Sequence, residues 1–459
     1  MRKFIGDRKF YRMVLAILIP IVIQNGITNF VSLLDNIMVG QVGTEQMSGV
    51  AIANQLVFVF NLCIFGAVSG AGIFGAQYYG SGDHKGVRDT LRFKLVVSLL
   101  LFLAGALVFL VGGEALISLF LQGESTGDSA GRTLQYGQTY LRIMLVGLLP
   151  FAILQSYSST LRETGETLLP MKAGIVSVLV NLALNYVLIF GKFGFPAMGA
   201  SGAAVATVVA RYTECTIIVV WTHRNPKRNR FVQGLYRAFR IPVSLVVQIT
   251  KKGLPLMLNE TLWSVGVSIL MQCYSVRGLA VVAGLNISNT ISNLFSVVFM
   301  SMGSAVAIII GQLLGAGKIE EAKETDTKLI FFSVAGSLIV AGVMALFAPI
   351  FPQIYNTTDE VRVLARNFIW VAAVCMPMNA FTNATYFTLR SGGKTLVTFF
   401  FDCGYVWLVN IPLAYCLSRF TEMPILPLYF ICQFADIFKC VVGFVLVKKG
   451  VWAQKFVEG

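Results

Sequence analysis

Asp35 lies in the run Asn29-Phe-Val-Ser-Leu-Leu-Asp35-Asn-Ile-Met-Val-Gly40, inside an apolar stretch of more than twenty residues. A carboxylate at the centre of a bilayer costs about 2.5–3.5 kcal/mol by insertion scales. Chains keep such a residue mainly where a cation must be held and let go, so the implied chemistry is binding of Na+ or H+. The charge becomes tolerable when the cation arrives. Asn181 and Asn185 are four residues apart and share one helical face. Their amide oxygens suit Na+, and their amide hydrogens can hold a carboxylate. Both Asp35 and the asparagine pair fall in the outer half of the bilayer, about 22 residues into the first span for Asp35.

A second set of acids sits later in the chain. Glu260 lies in Pro255-Leu-Met-Leu-Asn-Glu260-Thr-Leu-Trp263, near the start of a span, and Asp402 lies at similar depth in another. We expect these two to form an acidic pair that shares a proton or receives the positive charge of a bound organic cation. Like charges that close cannot both stay ionised. Arg211 and Glu214 are three apart, as are Asp436 and Lys439, which predicts intrahelical ion pairs that neutralise charge at depth. Pro20 and Pro255 fall inside apolar spans and permit bending, with Pro20 the hinge candidate. The abundant Phe (35) and Met (15) residues could line a pocket for varied apolar ligands.

Those residues must be positioned by membrane spans. Hydrophobic residues make up 56% and charged residues 13%, against about 25% charged in soluble domains. The net charge of +14 suggests a nucleic-acid partner at first sight, but the basic residues lie between apolar spans and no interleaved basic and aromatic patch occurs. No nucleic-acid partner is expected. Most cysteines fall within the apolar spans and none forms a C-x-x-C pair, so they read as packing residues, with no metal cluster or cofactor implied. His84 and His223 are the only histidines and lie at loop positions, which excludes a histidine relay inside the membrane. The basic start, Met1 to Arg12, precedes an apolar run too long for a signal-peptide core, so it reads as a retained first helix.

Hydropathy predicts twelve spans, near 13–39, 47–79, 91–112, 133–161, 168–191, 199–222, 252–276, 283–315, 327–349, 361–389, 395–418 and 425–447. Lysine and arginine alternate with the loops. They are rich at the N-terminus (Arg2, Lys3, Arg8, Lys9, Arg12), in 80–94 (Lys85, Arg88, Arg92, Lys94), in the connector after 222, in 316–328 and in the tail. The 40–46 loop has none, and 113–131 carries Glu114, Glu124 and Asp128. By the positive-inside rule both termini are cytoplasmic. The chain also repeats. A shift of 235 residues overlays Gly49…Thr90 on Gly284…Thr325, with Gln77-x-x-Gly80-x-Gly82 on Gln312-x-x-Gly315-x-Gly317. A shift of 228 overlays Leu161-Arg-x-x-Gly165-x-Thr167 on Leu389-Arg-x-x-Gly393-x-Thr395. The expected fold is therefore an all-α polytopic membrane protein. It has two six-helix bundles, 1–222 and 252–459, joined by a cytoplasmic connector at 223–251 and related by a pseudo-twofold axis along the membrane normal.

These residues resemble the multidrug and toxic compound extrusion family. The resemblance rests on Asp35-x-x-Met-Val-Gly closing the first helix, on both Gln-x-x-Gly-x-Gly and both Arg-x-x-Gly-x-Thr copies, and on Asn181-x-x-x-Asn185, and it runs over almost the whole chain. It implies a cation/drug antiporter of the cytoplasmic membrane that alternates between inward-open and outward-open states. Sodium or protons would drive it. The family's first-helix acid matches Asp35. Part of the family has aspartate where Asn185 stands. Some relatives have a functional glutamate where Trp263 stands and an aspartate where Asn379 aligns, so this chain departs from that second-bundle site. A bound substrate is expected between the bundles, and the internal repeat suggests a monomeric carrier. The rivals are a lipid-linked saccharide flippase of the same superfamily, expected to have more spans and a basic cavity, and a membrane channel. No H-E-x-x-H or G-x-S-x-G pattern points to an enzyme.

Overall fold

The computed structural model describes residues 4–121, 128–237, 240–355 and 357–457. Arg2, Lys3 and Glu124, used above to orient the chain, lie outside the described residues, as does the side chain of Asp128. Among the described residues, twelve helices are long and apolar enough to cross a membrane. They are α1 (Arg8–Gly40), α2 (Thr44–Gly80), α3 (His84–Leu121), α4 (Asp128–Glu163), α5 (Leu168–Phe190), α6 (Ala200–Arg224), α7 (Val243–Ser275), α8 (Leu279–Gly315), α9 (Ile319–Phe347), α10 (Asp359–Ser391), α11 (Thr395–Phe420) and α12 (Ile425–Lys449). No strand occurs among the described residues. In hydrocarbon the backbone must satisfy its own hydrogen bonds, which leaves helices as the natural form for such apolar runs.

The helices overrun the hydropathy windows. At 1.5 Å per residue the 38 residues of α3 span roughly 57 Å, well beyond a ~30 Å hydrocarbon core. The expected basic loop at 80–94 is therefore mostly helix, and Arg92 and Lys94 are buried. The outward faces are apolar, as at Leu100, Leu107, Leu110 and Val111 of α3, which suits lipid contact.

Two compact units emerge. Unit 2 comprises 23–75 and 83–249, and unit 1 comprises the chain up to Val22, 76–82 and 250–459. The division falls near the expected connector, but α1 and α2 are each shared. Each helix runs from one unit into the other without a break.

In unit 2, α4 packs on α3 and α6, and α5 on α6. Its core includes Val57, Ile64, Leu141, Met144, Leu148 and Ala204. The connector folds back on α3: Arg92 Nη2 and Nε donate to the Gly234 and Leu235 carbonyls at 2.7 and 2.9 Å. In unit 1, α10 packs on α8, α9 and α12. Its core includes Met302, Val306, Ile310, Leu389 and Trp452.

Candidate functional site

Asp35 and the asparagine pair do come together in unit 2. Asn185 Nδ2 donates to Asp35 Oδ1 at 2.6 Å and lies 3.1 Å from Asn181 Oδ1. Asn185 is 0% exposed. The small residues of α6 set the spacing. Gly202 backs directly onto the Leu188 backbone, where an added Cβ would fall 2.7 Å from the Leu188 carbonyl carbon. That close approach brings Thr207 to Asn181, with Asn181 Nδ2 3.3 Å from Thr207 Oγ1.

The amide arrangement has a conflict that neither orientation of Asn181 removes. With Nδ2 toward Thr207, Asn181 Oδ1 faces the carboxylate, 3.0 Å from Asp35 Oδ1 and 3.3 Å from Oδ2. With the amide turned, the carboxylate gains a donor, but two NH2 groups then meet at 3.1 Å. In addition, Asn185 Oδ1 is buried with no donor among the described residues. Oxygens from a carboxylate and amides converge there without enough hydrogens between them. Thr207 was not singled out in the sequence. Its signal is weak, because a threonine in an alanine- and valine-rich span ordinarily bonds its own helix, as this one also does to the Ala203 carbonyl at 3.0 Å.

In unit 1 the expected acidic pair is not a hydrogen-bonded pair. Asp402 Oδ1 takes Lys439 Nζ at 2.6 Å, and its Oδ2 accepts from Asn259 Nδ2 at 3.0 Å. Glu260 Oε1 accepts from Tyr386 at 3.0 Å. Asp402 sits in a π-helical stretch, Phe400–Gly404, where the ladder shifts and Asn259 Oδ1 accepts the Cys403 N–H at 3.2 Å. Lys439 thus pairs directly with Asp402, while Asp436 accepts from Asn410 Nδ2 at 3.0 Å. Arg211 and Glu214 make no direct ion pair among the described residues. Arg211 donates to the Gly147 carbonyl at 3.3 Å and lies over the Phe151 ring at 4.8 Å, while Glu214 Oε1 lies against Gly174. Three-residue spacing permits an intrahelical pair, but the Arg211 guanidinium turns to α4 instead. Asn379 is half-buried on α10, and its carbonyl accepts from Thr382 at 3.1 Å; the structure does not bond it to Glu260 or Asp402. Pro20 and Pro255 lie inside unbroken helices.

Comparison with known proteins then settles the family. The family model MatE matches the chain twice, over residues 20–187 and 255–416, one stretch in each half. The chain belongs to the MatE family.

Among MatE relatives, the probable multidrug resistance protein NorM of Thermotoga maritima is 25% identical over 96% of this chain and 92% of its own length. The multidrug resistance protein MdtK of Yersinia pseudotuberculosis is 28% identical over 91% of this chain and 89% of its own. A solved outward-facing multidrug resistance MATE family transporter of the MOP superfamily superposes with a TM-score of 0.86, at 19% identity, over 98% of this chain and 97% of that one. At that identity the match speaks for the fold alone. The family resemblance read from the motifs therefore holds, and with it the reading of a multi-pass membrane protein with twelve helices.

Proposed function

We propose that this MatE chain is a secondary active antiporter that exports organic cations across the cytoplasmic membrane in exchange for Na+ or H+. Asp35, Asn181 and Asn185 hold the coupling ion, and Thr207 supports Asn181. The observation that carries the reading is the unresolved amide conflict around Asp35, where one cation supplies what the hydrogen bonds lack. The multidrug resistance names of the relatives support drug-like substrates. Exchange requires only that ion and drug prefer different states of the carrier, or compete for one.

The test is efflux of ethidium from cells expressing the wild type and Asp35→Asn, with the proton and sodium gradients collapsed separately. Efflux that falls in Asp35→Asn, and falls with one gradient only, supports the reading and identifies the ion. Undiminished efflux by Asp35→Asn would remove Asp35 from the coupling site.

A further inference from the structure

The two halves carry the same hydroxyl at corresponding places. Thr160 on α4 and Thr388 on α10 correspond at the shift of 228 residues. Thr160 Oγ1 lies 2.9 Å from the Ser156 carbonyl, and Thr388 Oγ1 lies 3.0 Å from the Ala384 carbonyl, four residues back in each case. What faces the hydroxyl differs. In unit 2, Lys94 of α3 donates to Thr160 Oγ1 at 3.1 Å, and its charge is matched by Glu163 at 2.6 and 2.7 Å. The ammonium gives to Glu163, Thr160 and Ser159, so the Thr160 hydroxyl receives a hydrogen and is free to give its own to the carbonyl.

In unit 1, α9 presents Asp326 instead. Its Oδ1 lies 2.5 Å from Thr388 Oγ1, its Oδ2 is buried with no donor among the described residues, and the residue is 0% exposed. Thr388 has one hydroxyl hydrogen and two acceptors within bonding distance, Asp326 and the Ala384 carbonyl. An ionised Asp326 leaves one of them unserved and also buries an unpaired charge, which costs several kcal/mol. A proton on Asp326 Oδ1 satisfies both contacts, with the acid donating to Thr388 and Thr388 donating to Ala384. It fills the role that the Lys94 ammonium fills in unit 2.

No charged group substitutes for that proton. α8 contains no titratable residue. On α9, Lys323 is taken by Glu320 at 2.7 Å, and Glu324 and Lys328 stand two residues away on the other side of the helix. On α10, Arg390 lies over the Phe387 ring. α1 meets α9 through Tyr11 on Phe332, and none of its Arg8, Lys9 and Arg12 donates to Asp326 Oδ2, which has no donor among the described residues. Na+ is a poor fit, because one carboxylate, one hydroxyl and one helical carbonyl fall short of the six oxygens a hard cation usually collects.

We propose that Asp326 is a proton-binding site in unit 1, separate from Asp35, which takes up and releases one proton with Thr388 as its hydrogen-bond partner. This site stands apart from the drug and coupling-ion assignment and does not depend on it.

The test uses the full-length purified protein with Asp326→Asn and Asp326→Leu, the second being what α3 carries at the corresponding position, Leu91. Both should fold, since one is isosteric and the other suits an apolar site. Infrared spectra across a pH titration should show a protonated-carboxyl band in the wild type that both variants lack. On a jump from alkaline to acid pH, each variant should take up one proton fewer per molecule. Equal proton uptake by all three proteins would overturn the proposal. So would a thermal stabilisation by Na+ that the wild type shows and Asp326→Asn does not, since that would make the site a metal-ion site.

Discussion

At the scale of single residues, the Asp35 cluster makes a quantitative claim. Asn185 is fully enclosed, donates to Asp35, and holds an oxygen with no donor. Asn185→Leu keeps a side chain of similar size and removes both polar functions. A hydrogen bond to a charged group is worth about 1.5–3 kcal/mol. The half-saturating concentration of the coupling ion should therefore shift by roughly 10- to 100-fold, measured as efflux against ion concentration: downward for H+, because the lost donor stabilised the empty carboxylate, and upward for Na+, because the lost amide oxygen was a ligand. An unchanged ion dependence would exclude Asn185. Asp35, Asn181 and Asn185 were legible in the sequence, because an acid in an apolar span is expensive and four-residue spacing fixes a common face. Asp326 was not legible. It closes a run with Glu320, Glu321, Lys323 and Glu324 that reads as a solvated, charged helix start, and only its packing against Thr388 shows that it points inward. Glu260 and Asp402 each take other hydrogen-bond partners, and spacing along α12 cannot show that Lys439 crosses to α11.

At the scale of elements, the contact of α3 with α4 turns on the Lys94–Glu163 pair. Lys94 is 1% exposed, and Glu163 fits against two glycines of α2: a Cβ on Gly72 would fall 2.6 Å from its Oε1, and one on Gly75 would overlap Oε2. Removing one member strands a buried charge, at a cost of about 3–5 kcal/mol, whereas replacing both with apolar residues of similar volume is often neutral or stabilising. Lys94→Met alone should thus unfold well below the wild type in a thermal melt in detergent. The double variant Lys94→Met with Glu163→Leu should recover most of the loss. A double variant as weak as the single would mean that the ion pair itself stabilises the fold. Sequence reasoning counted Lys94 and Arg92 as loop charges. Their partners, Glu163 and the Gly234 carbonyl, lie 69 and 142 residues away, a distance over which hydropathy windows carry no information.

At the scale of the whole molecule, the repeated Gln-x-x-Gly-x-Gly motif acquires a reason. The end of α2 that belongs to unit 1 crosses the end of α8, and the two copies meet each other: a Cβ on Gly80 would overlap the Gln312 carbonyl, and a Cβ on Gly315 would overlap the Gln77 carbonyl. The shift of 235 residues that maps Gln77 to Gln312 also maps Gly80 to Gly315. The contact therefore maps onto itself under that shift. The tail after α12 also meets this crossing. Gln77 donates to the Ser391 and Gln454 carbonyls at 3.1 and 3.3 Å and accepts from the Phe456 N–H at 3.2 Å, with Trp452 buried beside them. Backbone packed on backbone has no flexible side chain to move aside, so a single methyl must part the helices. Overpacking of this kind costs about 1–3 kcal/mol. Gly80→Ala and Gly315→Ala should each lower thermal stability by a similar amount. The double variant should lose less than the sum, because the first methyl has already opened the crossing for the second. Gly336→Ala on α9 is the control: nothing lies within 4 Å of its Cβ, and alanine is the better helix former by about 1 kcal/mol. If Gly315→Ala melted like Gly336→Ala, the crossing would not be tight, and the motif's presence in both halves would need another cause.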